Sequence, residues 1–434
     1  MAEAAAGLAG EAARLWQLGR RDEAIALYAT LQAQRPDDAE LALRLGMAQA
    51  MAGRLVAAVR MLEHAVALAP RDAVAQDWLG RALATVHWHE RGPEAIGTLR
   101  EMVAQRPQDG RRHMKLAVAL LSCGRLGEAW PHYAWRWQVF AQEQAGRVPE
   151  RALERPDPAS WRGRRVLVFA EQGFGDTLQF LRYVPMAAAM AGEVVLEVPR
   201  ALAGLAAGMA AGVRVVAEGE ALPAHDVAVP LLHLPWAFGT ELGTIPAQLP
   251  YLRADAARAA FWRERLARLP GLKMGLVWAG DPRPDRPESN RIDRRRSLPL
   301  SALGPLAGVD GVSFVSVQKG PGARQAAAPP PGLRLHDWTG ELGDFADTAA
   351  LMAGLDLVVS VDTAPAHLAG ALGRPVWVLN RFDSCWRWLR GREDSPWYPT
   401  MRLFRQQAPG EWGPVVERVA AALTEWARPD PSGR

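Results

Sequence analysis

Cysteine is nearly missing from this chain: Cys123 and Cys385 are the only two among 434 residues, and they lie far apart. Two such residues build neither a disulfide framework nor a cysteine-rich zinc site. Long apolar runs are missing as well. No window of about 18 residues is uninterruptedly apolar, so no segment reads as a membrane helix. The opening MAEAAAGLAGEAARLW has no basic stretch leading into an apolar core. These absences lead us to expect a soluble, cytoplasmic protein. G-x-x-x-x-G-K-[ST], H-E-x-x-H and G-x-S-x-G are also absent, which removes the ATPase, zinc-protease and hydrolase readings that rest on those motifs.

What is present is ordinary in bulk. Apolar residues make up 49% and charged residues 23%, values usual for globular chains, and the length suits two or three domains. A net charge of +4 does not call for nucleic acid. With a pI near 9.4 it fits phosphate-bearing ligands met at local arginine clusters, and equally a genome that writes Arg for Lys.

The first third repeats itself. Pro36 and Pro70 stand 34 residues apart, as do Gly19 and Gly53, Ala24 and Ala58, and Leu31 and Ala65. A third unit matches at Gly80, Ala95 and Pro107, with three extra residues near the HWHERG stretch at 87–92, and a fourth at Ala117, Gly124, Ala129 and Tyr133. Small residues mark close helix crossings, larger ones such as Tyr28, Leu62 and Tyr133 fill the gaps, and prolines separate the units. Residues 1–146 thus resemble an array of tetratricopeptide repeats. The resemblance implies an α-solenoid whose concave groove holds a protein partner; a spacer, or an element that forms a homodimer, is the structural alternative. Residues 147–163, rich in proline and charge, read as a linker.

From Arg165 the period changes. RVLVFA (165–170), EVVLEV (193–198), VRVVA (213–217) and DVAVP (226–230) are short β-branched runs, and KMGLVWA (273–279), VSFVSVQ (312–318), LDLVVSV (355–361) and PVWVLN (375–380) form a second set. The alternation with helix-length segments predicts two parallel, helix-covered sheets. They occupy residues 164–258 and 270–428, with a polar, Arg-rich helical stretch between. Ligands of such sheets lie beyond the carboxyl ends of the strands.

Two strand ends carry candidate chemistry. The first strand runs into Glu171, Gln172, Gly173, Phe174, Gly175 and Asp176. Gly173 and Gly175 permit a tight turn, but Leu178 stands where a dinucleotide fingerprint needs its third glycine, so NAD is not expected. Asp176 at the helix start either caps the helix or serves as a general base at the mouth of a cleft. The second is VVSVDTAPAHLAG, where Asp362, Thr363 and Ala364 form the turn and His367 lies in the next helix. A helix N-terminus there suits a diphosphate; Asp362 or Thr363 as N-cap and His367 as packing is the plain alternative.

These segments resemble the ADP-heptose:lipopolysaccharide heptosyltransferases. Asp176 matches the Asp of their G-x-G-D segment, the family's proposed base in an inverting transfer. Asp362, Thr363 and His367 match their D-T-G-x-x-H, whose loop receives the donor diphosphate; Ala364 replaces the glycine. EQGFGDTLQF followed by RYVP further resembles bacterial proteins in which repeats are fused to such a domain, some of them flagellin glycosyltransferases. The resemblance implies a GT-B fold of two Rossmann-like domains, a nucleotide-sugar substrate, no cofactor, and a protein Ser or Thr as acceptor. D-x-D is absent, so no metal is expected to hold the donor. Six arginines against four acids at 281–296 form an Arg-rich loop in which Arg294, Arg295 and Arg296 are the candidate phosphate contacts. Gln318 and Lys319 follow another strand end, where the related O-linked N-acetylglucosamine transferases place a Gln and a Lys on the nucleotide. The tryptophans of 385–399 are read mostly as core, with one available to stack on a base or sugar. The rival reading keeps the fold but makes it a degenerate scaffold behind working repeats.

Overall fold

The computed structural model describes residues 2–86, 92–140 and 153–428. They divide into two compact units, Met1–Gly146 and Arg147–Arg434. The lengthened turn at HWHERG lies almost wholly, and the linker in part, outside the described residues.

The first unit is a series of antiparallel helix pairs: Ala2–Gln17 with Arg21–Gln34, Ala39–Met51 with Leu55–Leu68, Ala73–Val86 with Gly92–Gln105, and Gly110–Ser122 with Leu126–Tyr133. Their ends follow from sequence. Asp38 accepts from Leu41 N–H at 3.1 Å, Asp72 from Val74 N–H at 2.8 Å and Asp109 from Arg111 N–H at 3.0 Å, so each of these aspartates caps the helix that opens a pair. Between the helices of a pair, Gly19, Gly53 and Gly124 have φ of 78, 80 and 76°, a left-handed turn open to glycine at no cost. The repeated alanines Ala24, Ala58, Ala95 and Ala129 are all buried, as are Tyr28, Leu62 and Tyr133.

The second unit holds two all-parallel sheets. The smaller comprises β1 (Arg165–Phe169), β2 (Glu193–Val198), β3 (Val213–Ala217) and β4 (Val227–Pro230) in the order β3-β2-β1-β4. The larger comprises β5 (Leu272–Val277), β6 (Val312–Ser316), β7 (Leu335–Asp337), β8 (Leu357–Val361), β9 (Val376–Asn380) and β10 (Met401–Arg405) in the order β10-β9-β8-β5-β6-β7. The apolar runs become strands buried on both faces, as helix-covered parallel sheets require. The strand order reverses at β1/β4 and at β5/β8, the positions at which open parallel sheets take their ligands.

The structure adds β7 and β10, which were not read from sequence, and corrects one element. The Arg-rich stretch is not a loop throughout: Pro287–Arg296 is a helix. Pro287 suits its first turn, and Arg294, Arg295 and Arg296 end it where cations favour the helix dipole. The polar stretch between the sheets is the helix Ala256–Ala267.

Two measurements check the packing of the repeats. A Cβ on Gly46 would lie 2.7 Å from Leu62 Cγ and 3.3 Å from Ala58 O, whereas one on Gly97 meets nothing within 4 Å. Chemical denaturation is expected to show Gly46→Val destabilised by about 1–3 kcal/mol through overpacking, and Gly97→Ala stabilised by about 0.5–1 kcal/mol through lost chain entropy. The second concerns pH. His113 and His132 share a 2.7 Å Nδ1–Nδ1 hydrogen bond. Burial, then the neighbouring imidazole, pulls His132 down to about 4, and burial lowers His113 as well. A base with a depressed folded pKa is fully compatible with folding above its unfolded value, roughly 6.5, and costs stability as pH falls toward the folded value. The melting temperature of the repeat unit is therefore expected to drop between about pH 6.5 and pH 4, and His132→Gln to flatten that slope; parallel profiles would contradict the assignment.

Candidate active site

Asp176 sits in the third position of the helix Phe174–Phe180, whose N-cap is Gly173. It is therefore not the N-cap itself. Its Oδ2 reaches back to accept from Gly173 N–H at 2.9 Å. Its Oδ1 accepts from the Arg387 guanidinium, which comes from the far end of the unit and also donates through Nε to Gln179 Oε1 at 2.6 Å. Each carboxylate oxygen has two lone pairs, so a cap bond and an ion pair leave acceptor capacity on both. Before it, Glu171 is buried and Gln172 is exposed with a left-handed φ of 65°.

Across from this helix lies the turn after β8. Thr363 is the N-cap of the helix Ala364–Ala371, but its hydroxyl bonds Val361 O at 3.2 Å rather than capping. Asp362 is buried and Thr363 and Ala364 are half-buried. His367 is buried one turn in. Its Nδ1 lies 2.9 Å from Tyr398 Oη and its ring stacks on Trp388 at 5.1 Å. Burial, then Arg387 and Arg182, hold its pKa well below 6.5, so it is neutral. Burial likewise holds the Tyr398 phenol well above 10.

The two turns meet. A Cβ on Gly175 would lie 2.9 Å from His367 Cδ2 and 3.7 Å from Ala364 Cα, so the glycine admits the opposite helix to contact. Arg182 ties the same seam. Its guanidinium donates to Pro246 O at 3.3 Å, to Tyr251 Oη at 3.2 Å and to Trp397 O, and lies 4.6 Å from the Tyr398 ring centre.

The remaining candidates separate. Arg296 donates to Asp362 O at 3.2 Å and to Asp293 at 3.0 Å, which brings it to the β8 turn. Arg295 pairs instead with Asp383 at 2.8 Å, and Arg294 is exposed. Gln318 is buried, and its side chain makes four bonds to backbone: it accepts from Trp278 and Ala279 N–H and donates to Ala279 and Lys319 O, at 2.7–2.9 Å. It staples β5 to β6. Lys319 donates to Thr339 O and Leu342 O, each at 2.8 Å, which turns it onto a loop. Trp386, Trp388 and Trp397 are all buried, so the tryptophans of this segment act as core. Arg182, Arg387 and Tyr398 were missed in the sequence; RYVP and WRWLRGREDSPWYP contain them, but no local pattern separates them from packing residues.

Residues 15–81 match the tetratricopeptide repeat family and residues 336–380 match glycosyltransferase family 9 (heptosyltransferase). The second match spans Asp362, Thr363, Ala364 and His367. Over 480 aligned residues the chain is 28% identical to Protein FlbA of Caulobacter vibrioides, covering 97% of this chain and 78% of that one. Among solved structures, the family 9 glycosyl transferase of Veillonella parvula has 12% identity and a TM-score of 0.45, covering 62% of this chain and all (100%) of that one. ADP-heptose lipopolysaccharide heptosyltransferase II of E. coli has 14% identity and a TM-score of 0.42, covering 61% of this chain and 100% of that one. On these matches the chain is a glycosyltransferase with tetratricopeptide repeats, similar over residues 336–380 to family 9 (heptosyltransferase).

Proposed function

We propose that the enzyme transfers a sugar from a nucleotide donor, with inversion and without a metal, to a Ser or Thr hydroxyl of a protein that the repeats recruit; flagellin is the acceptor the sequence resemblance names. The observation that carries the reading is the meeting of Asp176 with the turn after β8. A carboxylate with open lone pairs and the turn that begins the helix Ala364–Ala371 stand on opposite sides of one seam. Asp176 takes the proton of the acceptor hydroxyl as its oxygen bonds the anomeric carbon. The bond from that carbon to the donor diphosphate breaks, and its electron pair leaves on the phosphate oxygen. Arg296, beside the turn, meets the charge that develops there. Lys319 and Gln318 shape the rim through backbone bonds. Metal independence rests on the missing D-x-D pair. The neutral, buried His367 acts by holding the turn against Gly175 and Tyr398. The rival, a degenerate scaffold, would not need a carboxylate with open lone pairs at this seam.

A pair of variants tests the base. Asp176→Asn and Arg387→Gln both break the ion pair, and each is expected to lose on the order of 1–3 kcal/mol of stability. Only Asp176→Asn removes the proton acceptor. At saturating donor its turnover is expected to fall on the order of 10²–10⁴-fold, while Arg387→Gln keeps most of its rate. Equal losses in the two variants, in step with their melts, would reduce Asp176 to a structural role. Wild type silent with every nucleotide sugar would favour the scaffold.

For the repeats, removal of residues 1–146 is expected to abolish modification of the protein acceptor and to spare slow donor hydrolysis, read by nucleotide release. Full protein modification by the shortened chain would contradict recruitment. EDTA is expected to leave turnover unchanged, and a strict need for Mn²⁺ or Mg²⁺ would overturn the metal-free reading.

A further inference from the structure

Among the described residues, three that are not glycine hold a left-handed backbone: Gln172 at φ 65°, Arg283 at 43° and Leu389 at 48°. A side chain makes that conformation costly, and residues held in it collect where a site needs a fixed position. All three border Asp176. Gln172 directly precedes Gly173, whose N–H donates to Asp176. Leu389 comes shortly after Arg387, the cation paired with Asp176. Arg283 belongs to a distant part of the chain, the loop after β5, yet it reaches the same turn. A Cβ on Gly173 would have Asp176 Oδ2 at 3.2 Å and Arg283 Nη2 at 3.9 Å. Both atoms are within 4 Å of one point, so they are at most twice that apart.

The loop is built to hold this arginine. Arg283 stands between Pro282 and Pro284, and a residue before proline is driven toward an extended backbone, so its left-handed φ is opposed twice. Three hydrogen bonds hold it there. Asp281 Oδ1 accepts from Arg283 N–H at 3.2 Å, Arg283 O accepts from Arg286 N–H at 3.0 Å, and Pro282 O accepts from Asn290 Nδ2 at 2.6 Å.

The guanidinium is not consumed by this scaffold. It is 41% exposed, and the carboxylate beside it, Asp281 Oδ2, lies 3.9 Å from Nε, beyond hydrogen-bond reach. Asp176 has one oxygen on Gly173 N–H and the other on Arg387, and does not close on Arg283. In the proposed transfer the acceptor hydroxyl lies against Asp176, while the donor's diphosphate lies at the turn after β8 beside Arg296. A guanidinium next to the base is therefore on the acceptor's side, and its planar fork suits a carboxylate.

We propose that Arg283 reads the acceptor: it pairs with a carboxylate next to the hydroxyl that receives the sugar, so the preferred substrate is a Ser or Thr flanked by Asp or Glu. The inference rests on the transferase reading above and gives its acceptor a chemical class.

The test is calorimetry on the full chain with two end-blocked peptides, Gly-Asp-Ser-Asp-Gly and Gly-Asn-Ser-Asn-Gly. Wild type is expected to bind the acidic peptide roughly 10-fold more tightly, the low end of what a hydrogen bond to a charged group supplies, and added salt is expected to narrow the gap. Arg283→Gln should erase the preference and Arg283→Lys restore part of it. Arg283→Gly should erase it as well, yet melt about where wild type does, because glycine takes the left-handed backbone freely. A large fall in that melt would make Arg283 a structural tie and overturn the proposal. So would equal binding of the two peptides, binding of neither at millimolar concentration, or a preference that survives Arg283→Gln. Nucleoside diphosphate affinity lost in Arg283→Gln would move the arginine to the donor and overturn it too. Sugar transfer without an acidic preference removes this inference and leaves the transferase. An acidic preference that depends on Arg283, in a protein that transfers no sugar, keeps the site and removes the transferase reading.

Discussion

The transferase unit depends on one buried cation. Arg182 lies where the smaller sheet's helices meet the C-terminal segment, among the rings of Tyr251, Tyr398 and Trp397 at 4.7, 4.6 and 5.5 Å. Its hydrogen bonds go to the Tyr251 hydroxyl and to backbone oxygens of Gln179, Pro246 and Trp397. Carbonyl dipoles and aromatic faces replace the water a guanidinium would otherwise hold. A desolvated cation over such rings is worth about 2 kcal/mol or more for each good contact. The contacts come from both sides of the seam, so the cation fixes one half against the other. Asp176 is on the helix that leads directly to Arg182, and Tyr398 holds His367. The separation of the two candidate turns is therefore set by a residue that bonds to neither of them.

That seam explains two small residues. Gly175 has to be glycine because the opposite helix arrives at contact distance, and Gly370 is pressed in the same way by the Tyr398 ring, 2.5 Å from where its Cβ would stand. Both lie on the paired helices Phe174–Phe180 and Ala364–Ala371. Their close packing brings a carboxylate and a helix start together, and brings Arg387 within reach of both.

Much of this was legible in the sequence, and what was not has a common physical cause. The repeats show because one geometry recurs: the left-handed turn at Gly19, Gly53 and Gly124 demands the same residue each time. The unread signal there is the aspartate two residues after Pro36, Pro70 and Pro107, which caps the next helix. The main strands show because burial on both faces writes β-branched runs. β7 has three residues, too short for a period, and β10 follows a tryptophan-rich stretch that hides it. The helix Pro287–Arg296 reads as a loop because its charges lie on nearly every side. Arg387 and Asp176 are 211 positions apart, and no local spacing announces a pair formed only when two halves close.

The glycine-to-alanine departure at Ala364 bears on how the donor's charge is met. In the short helix Ala364–Ala371 the first-turn amides offer little: Pro365 has no N–H, and Ala366 N–H already bonds Thr363 O at 3.0 Å. The Thr363 hydroxyl faces back toward β8. Without the glycine, the backbone at this turn is also less open to close approach. A diphosphate seated here in the proposed reaction would draw less stabilisation from helix N–H groups than a glycine turn would supply. In that reaction the balance would have to come from side chains, and Arg296, which bonds Asp362 O at 3.2 Å, stands at the turn.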